Sequence, residues 1–234
     1  MKGVHDLLRV LRSTSDGSGA CLGHQVKGML HELGMSVPHG HFVPTGEPLP
    51  DPIGLDFPLV AKVAIPGLAG KSDIGGIRLN LREREELNRA VVELSTIPGA
   101  VGVLMEEMAP PGVEVIVGGS CDPQFGPIVM FGLGGVLVEL YRDVAFGLAP
   151  LTNEEALRLA RQPKGARILD GFRGKPPIDL SALTRVMVTA SELMATGMVE
   201  EIDLNPVTLY PVGALVLDAK LQFRDTPLSL HHNP

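Results

Sequence analysis

The clearest chemical signal in this sequence is a lysine inside an apolar strand, followed by a glycine-containing loop. Lys62 interrupts the run Leu59–Ala64, and the loop Gly67–Gly76 carries Lys71 and Ser72. A buried ammonium is costly unless it meets an anion or water, and the N–H groups of such loops can bind phosphate oxygens. These residues therefore indicate a phosphate site. An edge-strand lysine beside an ordinary turn is the alternative, and the spacing is not that of a P-loop.

Oxygen-bearing side chains near the C-terminal end form a second group. Glu201, Asp203 and Asn205 alternate along one predicted strand, which places them on the same face, and Asp218 lies at the end of the next apolar strand. Mg²⁺ prefers one or two protein oxygens together with substrate phosphates and water. The pattern indicates a magnesium site, with solvated carboxylates at strand ends as the alternative.

A third group lies where the strand Val101–Met108 ends. Glu106 and Glu107 come at this end, and Glu114 follows a short linker. The backbone of such a segment can bind an adenine edge, and Glu114 can accept a hydrogen bond from a ribose hydroxyl; a solvated pair of carboxylates is the alternative. The glycine cluster Phe131–Gly135 is typical of tight turns as well as of nucleotide sites.

The elements that position these groups follow from hydrophobic spacing. Helices are predicted over Leu22–Leu33, Arg82–Leu94, Asn153–Arg161 and Leu180–Ala195. Strands are predicted over His41–Val43, Leu59–Ala64, Ile77–Leu81, Val101–Met108, Val113–Ser120, Pro127–Phe131, Val199–Leu204 and Ala214–Leu217. The order lacks a regular βαβ rhythm and therefore favours an α+β fold. Residues 1–18 are predicted to be a flexible N-terminal segment, and residues 224–234 a disordered tail.

Composition excludes several classes of protein. The 234 residues suffice for one large domain or two small ones, and the net charge of −7 argues against a basic face for nucleic acid or anionic lipid. No run approaches the ~20 apolar residues of a membrane span. Cys21 and Cys121 lack the CxxC spacing of a metal or redox site. We expect a cytoplasmic protein with reduced thiols that binds neither nucleic acid nor membrane.

Taken together, these segments resemble the ATP-grasp domain of the NDP-forming acyl-CoA synthetases, in particular the β subunit of ADP-forming acetate–CoA ligase. The resemblance covers about residues 20–222. Matching motifs lie, in order, at residues 57–62, 71–76, 122–127, 131–135, 143–146, 169–174, 203–206 and 217–220. It implies an ATP-grasp fold in which two α+β lobes, residues 19–108 and 109–223, enclose the nucleotide.

The resemblance also implies a role for each candidate residue. Lys62 and Lys71 would act in catalysis with Asp203, which would face an incoming phosphohistidine. Asn205 and Asp218 would bind Mg²⁺. The implied nucleotide-binding residues are Lys62, Gly70, Lys71, Ser72, Gly75, Gly76, Glu106, Glu107, Met108 and Glu114.

The family reaction is acyl-CoA + ADP + phosphate ⇌ carboxylic acid + CoA + ATP. In the family, a partner α subunit binds CoA and carries the histidine whose phosphoryl group is transferred to ADP. This chain has no GxGxxG after a strand, which is the signature of a dinucleotide-type Rossmann half. The resemblance therefore implies a separate CoA-binding α subunit, with two copies of each chain in the assembly.

One position departs from the family pattern. Gly70 stands before Lys71, where family members usually have a histidine that, in part of the family, relays the phosphoryl group. Either the α-subunit histidine reaches the nucleotide directly, or this chain is a catalytically impaired regulatory or scaffold subunit. A third reading, an ATP-grasp ligase that makes an acyl phosphate alone, is disfavoured because no further substrate domain is apparent.

Overall fold

The computed structural model describes residues 3–51, 53–67, 71, 74–134 and 143–225. Within these residues the helices are α1 (Val4–Ser13), α2 (Gly23–Glu32), α3 (Arg84–Ser95), α4 (Asn153–Ala160) and α5 (Leu180–Ala195), with a 3₁₀ helix at Lys164–Asp170. The strands are β1 (Gly40–Pro44), β2 (Leu59–Ala64), β3 (Ile77–Leu81), β4 (Gly102–Glu107), β5 (Val113–Asp122), β6 (Gly126–Leu133), β7 (Val144–Leu148), β8 (Val199–Leu209), β9 (Ala214–Val216) and β10 (Ala219–Phe223).

The smaller lobe is an antiparallel sheet with the strand order β1-β4-β2-β3, covered by α3. Helix α3 contributes Leu87, Ala90, Val91 and Leu94 to the core, a spacing that forms one apolar helix face. Strand β2 is buried at all of its positions. Lys62 therefore lies in a fully buried strand rather than at a solvated edge.

The larger lobe is an antiparallel sheet with the order β10-β8-β5-β6-β7, to which β9 pairs alongside β8. Helices α1, α2, α4 and α5 all contribute to its core. Helix α5 begins at an Asp179 cap, whose side chain accepts from the Ala182 N–H at 3.0 Å and from the Gly213 N–H at 3.0 Å. The two antiparallel sheets confirm the predicted α+β class.

The predicted flexible segment at residues 1–18 is wrong over most of its length. Helix α1 buries Leu7, Leu8 and Leu11 in the larger core. The Arg12 guanidinium donates to the Arg224 carbonyl at 2.8 Å. The polar residues that follow α1 suggested a linker, but three leucines on one helix face are enough to anchor the helix.

The predicted lobe boundaries also need correction. Helix α2 was assigned to the N-terminal lobe, 19–108, but its Val26, Met29 and Leu30 lie in the core of the larger lobe. The core of the smaller lobe begins at Val43. The chain therefore starts in the larger lobe, crosses to the smaller lobe after α2 and returns at β5.

Several elements at the C-terminal end were missed or too short in the sequence analysis. Strand β8 continues past Pro206 to Leu209, with a register shift where Val115 pairs with Val207 and Val117 with Leu204. A bulge of this kind accommodates a proline that cannot donate to the ladder. Strand β10 was not predicted, and of the predicted tail, residues 226–234 lie outside the described residues.

The structure also describes the state of the two cysteines and the length and polarity of the helices. Both cysteines are free; Cys21 is buried and Cys121 is half-buried. Across the described parts of the chain, every helix is too short or too polar to cross a bilayer.

The role of α1 gives a direct test of stability. We expect Leu8→Ala to lower the free energy of unfolding by about 2–5 kcal/mol, because Leu8 is fully buried and its removal leaves a cavity. Val10 lies on the same helix, is 55 % exposed and is the matched control. Val10→Ala should change the free energy of unfolding by less than about 0.5 kcal/mol. Urea unfolding followed by circular dichroism measures both. Equal effects of the two changes would mean that α1 is not part of the folded core.

Candidate functional site

A buried cluster of two lysines and one glutamate joins the two lobes. Glu106 on β4 is 1 % exposed, and its two carboxylate oxygens each accept from a different lysine. Lys62 on β2 lies 2.8 Å from Oε2, and Lys27 on α2 contacts Oε1. The Leu217 carbonyl in the larger lobe accepts from Lys62 at 2.7 Å and from Lys27 at 3.2 Å. The carboxylate and one carbonyl thus connect three elements of the fold.

The position of Lys62 follows from strand pairing. In the β2–β4 ladder Val60 is opposite Glu106 and Lys62 is opposite Leu104. Side chains alternate along strands, so Lys62 and Glu106 lie diagonally on one face. That face is directed toward the Leu217 carbonyl of the other lobe. The sequence signal of a lysine in an apolar strand therefore marked an interlobe position.

Lys71 reaches the same region of the larger lobe. Its Nζ lies 2.6 Å from Asp218 Oδ2. The loop containing it returns to β2, since the Gly76 N–H donates to the Lys71 carbonyl at 2.7 Å and the Val63 N–H donates to the Gly76 carbonyl at 2.8 Å. Two further predicted residues of this loop, Gly70 and Ser72, lie outside the described residues.

Gly75 and Gly76 have different structural reasons to be glycine. Gly75 has a positive φ of 65°, which favours glycine. A Cβ on Gly76 would come within 2.6 Å of Val63 Cγ1 and 2.8 Å of the Lys71 carbonyl. Gly76 therefore allows the loop to approach β2 closely, and this fixes the backbone from which Lys71 extends.

A backbone hydrogen bond links the two candidate magnesium ligands, Asn205 and Asp218. The Asn205 N–H donates to the Asp218 carbonyl at 3.2 Å, at the bulge of β8. The donor set consists of one carboxylate and one amide, which suits a hard cation that also binds phosphate oxygens. Among the described residues no cluster of three or more histidine, cysteine or acidic side chains could enclose a metal. Asn205 and Asp218 therefore fit a metal site that a bound substrate completes, rather than one that protein ligands close on their own.

The acidic residues of β8 line a cavity of 350 Å³. Glu201, Asp203 and Asn205 lie on one side of it, with Gly118 and Ser120 of β5 alongside. Burial, together with the nearby Glu201 carboxylate, raises the pKa of Asp203. Lys220 lies 3.1 Å from Glu201 and partly balances this charge. Asp203 therefore favours contact with a cation or a hydrogen-bond donor in the cavity.

The predicted adenine segment is only partly available. The Glu106 side chain is bonded to the two lysines, the Glu107 N–H donates to the His39 carbonyl at 3.0 Å, and the Met108 N–H donates to the Pro58 carbonyl at 3.0 Å. These two donors would have to be released before they could bind a base. The sequence analysis did not predict that the backbone carbonyls just before β1 and β2 already accept from these donors.

A second cavity, of 340 Å³, lies directly beside this segment and was missed in the sequence analysis. Its lining includes His24, Lys27, His39, Leu104 and Glu106. The His24 ring stacks on Phe42 with a centroid separation of 4.1 Å. Nothing in the spacing of α2 separated Lys27 and His24 from an ordinary solvated helix face, because their partners lie far away in sequence.

Glu114, the last of the predicted nucleotide-binding residues, takes no part in the contacts of Lys27, Lys62 and Glu106. Glu114 is exposed, and its carbonyl accepts from the Gly134 N–H at 2.7 Å. A Cβ on Gly134 would lie within 2.8 Å of the Glu114 carbonyl carbon. The described part of the glycine cluster at 131–135 thus serves close backbone packing, as in the turn interpretation.

The family assignment follows from a match that covers most of the chain. Residues 12–223 match the family model of the ATP-grasp domain. The chain belongs to the ATP-grasp family. This ATP-grasp chain is 41 % identical over 175 residues to the β subunit of ADP-forming acetate–CoA ligase I from Pyrococcus furiosus, covering 71 % of this chain and 75 % of that subunit. The predicted resemblance is thereby confirmed.

Longer relatives and solved structures agree with this assignment. ADP-forming acetate–CoA ligase I of Archaeoglobus fulgidus is 37 % identical over 223 residues, which cover 91 % of this ATP-grasp chain but 32 % of the longer ligase. The structure of Ca. Korarchaeum cryptofilum acetyl-coenzyme A synthetase 1 with coenzyme A, Ca-AMPCP and HgCl+ superposes with a TM-score of 0.84 at 38 % identity, covering 95 % of this chain and 100 % of that one. The ATP-grasp fold is confirmed.

Proposed function

We propose that this chain is the nucleotide-binding subunit of an ADP-forming acyl-CoA synthetase. It transfers a phosphoryl group between a phosphohistidine of a CoA-binding α subunit and Mg-ADP, within the reaction acyl-CoA + ADP + phosphate ⇌ acid + CoA + ATP. The Pyrococcus furiosus relative is named as a β subunit. The Korarchaeum protein has been solved with Mg-AMPPCP and a phosphohistidine segment pointing towards its nucleotide binding site. Two copies of each subunit would form the assembly.

The observation that carries the proposal is the convergence of two lysines of the smaller lobe on adjacent residues of the larger lobe. Lys62 donates to the Leu217 carbonyl, and Lys71 pairs with Asp218. Phosphoryl transfer depends on positioning and charge neutralisation more than on covalent chemistry. With Asp218 bound to Mg²⁺ instead of Lys71, the two ammonium groups at these adjacent residues would supply that neutralisation for the phosphates of a bound nucleotide.

The other residues have complementary roles in this proposal. Asn205 and Asp218 hold Mg²⁺, which would neutralise charge on the phosphate oxygens. Asp203 faces the phosphohistidine from the 350 Å³ cavity. The nucleotide base occupies the 340 Å³ cavity beside Glu106, whose lining includes His24, the ring of which stacks on Phe42.

The decisive binding experiment is calorimetric titration of the full chain with ADP and with GDP, each with and without Mg²⁺. The proposal predicts 1:1 binding of one nucleotide that strengthens with Mg²⁺. Absence of binding by a folded chain in all four titrations would contradict it. The same experiment identifies the base that the chain prefers.

The metal assignment gives a separate prediction. We expect Asp218→Ala to abolish the Mg²⁺ dependence of ADP binding, because it removes the only carboxylate of the proposed ligand pair. Asp170→Ala is the matched control, since Asp170 also pairs with a cation, Arg161, at 2.5 Å but lies away from the cavities. Calorimetry with and without Mg²⁺ measures the effect. A full Mg²⁺ dependence in Asp218→Ala would show that the metal is held elsewhere.

A second candidate function rests on Gly70. With glycine in place of the family histidine, the chain would bind nucleotide as a regulatory or scaffold subunit without transferring phosphate. Nucleotide binding is common to both functions, so binding alone does not separate them. ATP formation from a phosphorylated α subunit does.

A further inference from the structure

The buried cluster contains one more cation than it needs to neutralise its carboxylate. Lys27 and Lys62 are 3 % and 8 % exposed, and both ammonium groups bind the same carboxylate, that of Glu106. The neighbouring Lys71–Asp218 pair is neutral as a unit. The interlobe cluster of Lys27, Lys62 and Glu106 therefore has a net charge of +1.

An unbalanced buried charge is expensive unless an anion compensates it. Burial and the adjacent Lys62 ammonium lower the pKa of Lys27 to about 8, so that Lys27 is still mostly protonated at pH 7. The excess charge is thus retained near neutral pH. Its position beside the Leu217 carbonyl, next to Asp218, is where the proposed function places the phosphates.

We propose that Lys27 is a positioning residue that neutralises Glu106 and so leaves the charge of Lys62 available to a nucleotide phosphate. Without Lys27, Lys62 and Glu106 form a closed neutral pair, and a phosphate would have to compete with the carboxylate for Lys62. Because Lys27 comes from the larger lobe and Lys62 and Glu106 from the smaller lobe, the same contacts also hold the lobes together around the site. This inference rests on the proposed nucleotide function.

The geometry assigns this role to Lys27 rather than direct phosphate binding. Lys27 donates to Glu106 and to the Leu217 carbonyl from the α2 side. Lys62 makes the shorter contact with the Leu217 carbonyl, 2.7 Å against 3.2 Å, and lies on the strand from which the Lys71 loop departs. Lys62 therefore makes the closer contact with the backbone that leads into Asp218.

The test compares variants by the net charge of the cluster. Lys27→Met reduces it to zero, and Lys27→Met/Glu106→Gln restores +1 without restoring Lys27. We expect Lys27→Met to weaken Mg-ADP binding by about tenfold or more, and the double variant to recover at least about threefold of the affinity that Lys27→Met loses. In the transfer assay with an α subunit, KM for ADP should rise in Lys27→Met more than kcat falls.

Calorimetry with Mg-ADP, with melting temperatures measured alongside, distinguishes the outcomes. Unchanged affinity in Lys27→Met overturns the inference and leaves the proposed function intact. Equal loss of affinity in the single and double variants has the same consequence, because it would mean that Lys27 acts through its own contacts. Absence of Mg-ADP binding by the unchanged chain overturns the proposed function and this inference with it. Rescue by the double variant, at a melting temperature no higher than that of the single variant, supports the role of Lys27.

Discussion

Lys62→Met is expected to weaken Mg-ADP binding by about 3 kcal/mol, on the order of 100-fold in Kd. Methionine keeps much of the length and apolar volume of lysine while removing the charge. The phosphate of the nucleotide would lose the buried cation closest to the Leu217 carbonyl. Calorimetric titration at fixed Mg²⁺ measures the loss directly.

The fold should survive this change. Glu106 keeps Lys27 as its partner after Lys62 is removed, so that the carboxylate is not left buried without a counter-charge. Lys164→Met is the matched control, because Lys164 is exposed at the start of the 3₁₀ helix. Lys62→Met with normal affinity and normal stability would show that Lys62 serves the lobe contact alone.

Asp203→Asn is expected to lower the rate of phosphoryl transfer by about 100-fold or more while leaving ADP affinity nearly unchanged. The carboxylate would orient an imidazole N–H of the incoming phosphohistidine and balance its charge. Asparagine preserves the size of the side chain and one acceptor oxygen but loses the charge. The measurement is single-turnover formation of ATP from a phosphorylated α subunit.

Glu201 provides the control for Asp203. Both side chains line the 350 Å³ cavity from the same face of β8, but Glu201 is paired with Lys220 at 3.1 Å. Glu201→Gln should change the transfer rate by no more than about threefold, since a partly exposed ion pair contributes little. Equal losses in the two variants would indicate a general effect of cavity charge rather than a specific contact of Asp203.

Local sequence patterns predicted the strands of the site better than the helices that close it. Strands β2 and β3 and helix α5 were predicted with the residue limits that the structure has, because each is a compact apolar or alternating run. Helix α1 was missed because the polar residues after it outweighed Leu7, Leu8 and Leu11. Helix α2 was predicted, but its lobe was not, since an amphipathic face does not specify which core it joins.

The role of Glu106 illustrates what a single sequence does not contain. Its partners Lys62 and Lys27 are 44 and 79 positions away in the sequence. The sequence analysis therefore interpreted Glu106 and Glu107, two carboxylates at a strand end, as part of a base-binding segment. Only the approach of the two lobes turns Glu106 into a buried counter-ion. By contrast, the common face of Glu201, Asp203 and Asn205 followed from the two-residue period of one strand, and all three residues line the 350 Å³ cavity.

Transfer of a labelled phosphoryl group from the phosphohistidine of an α subunit to Mg-ADP, in the presence of this chain, tests the central claim most directly. The proposed function predicts that labelled ATP forms, and that it no longer forms at a comparable rate with Asp203→Asn. Nucleotide binding without any ATP formation would contradict phosphoryl transfer and favour a regulatory subunit, in which Gly70 marks the loss of the catalytic step.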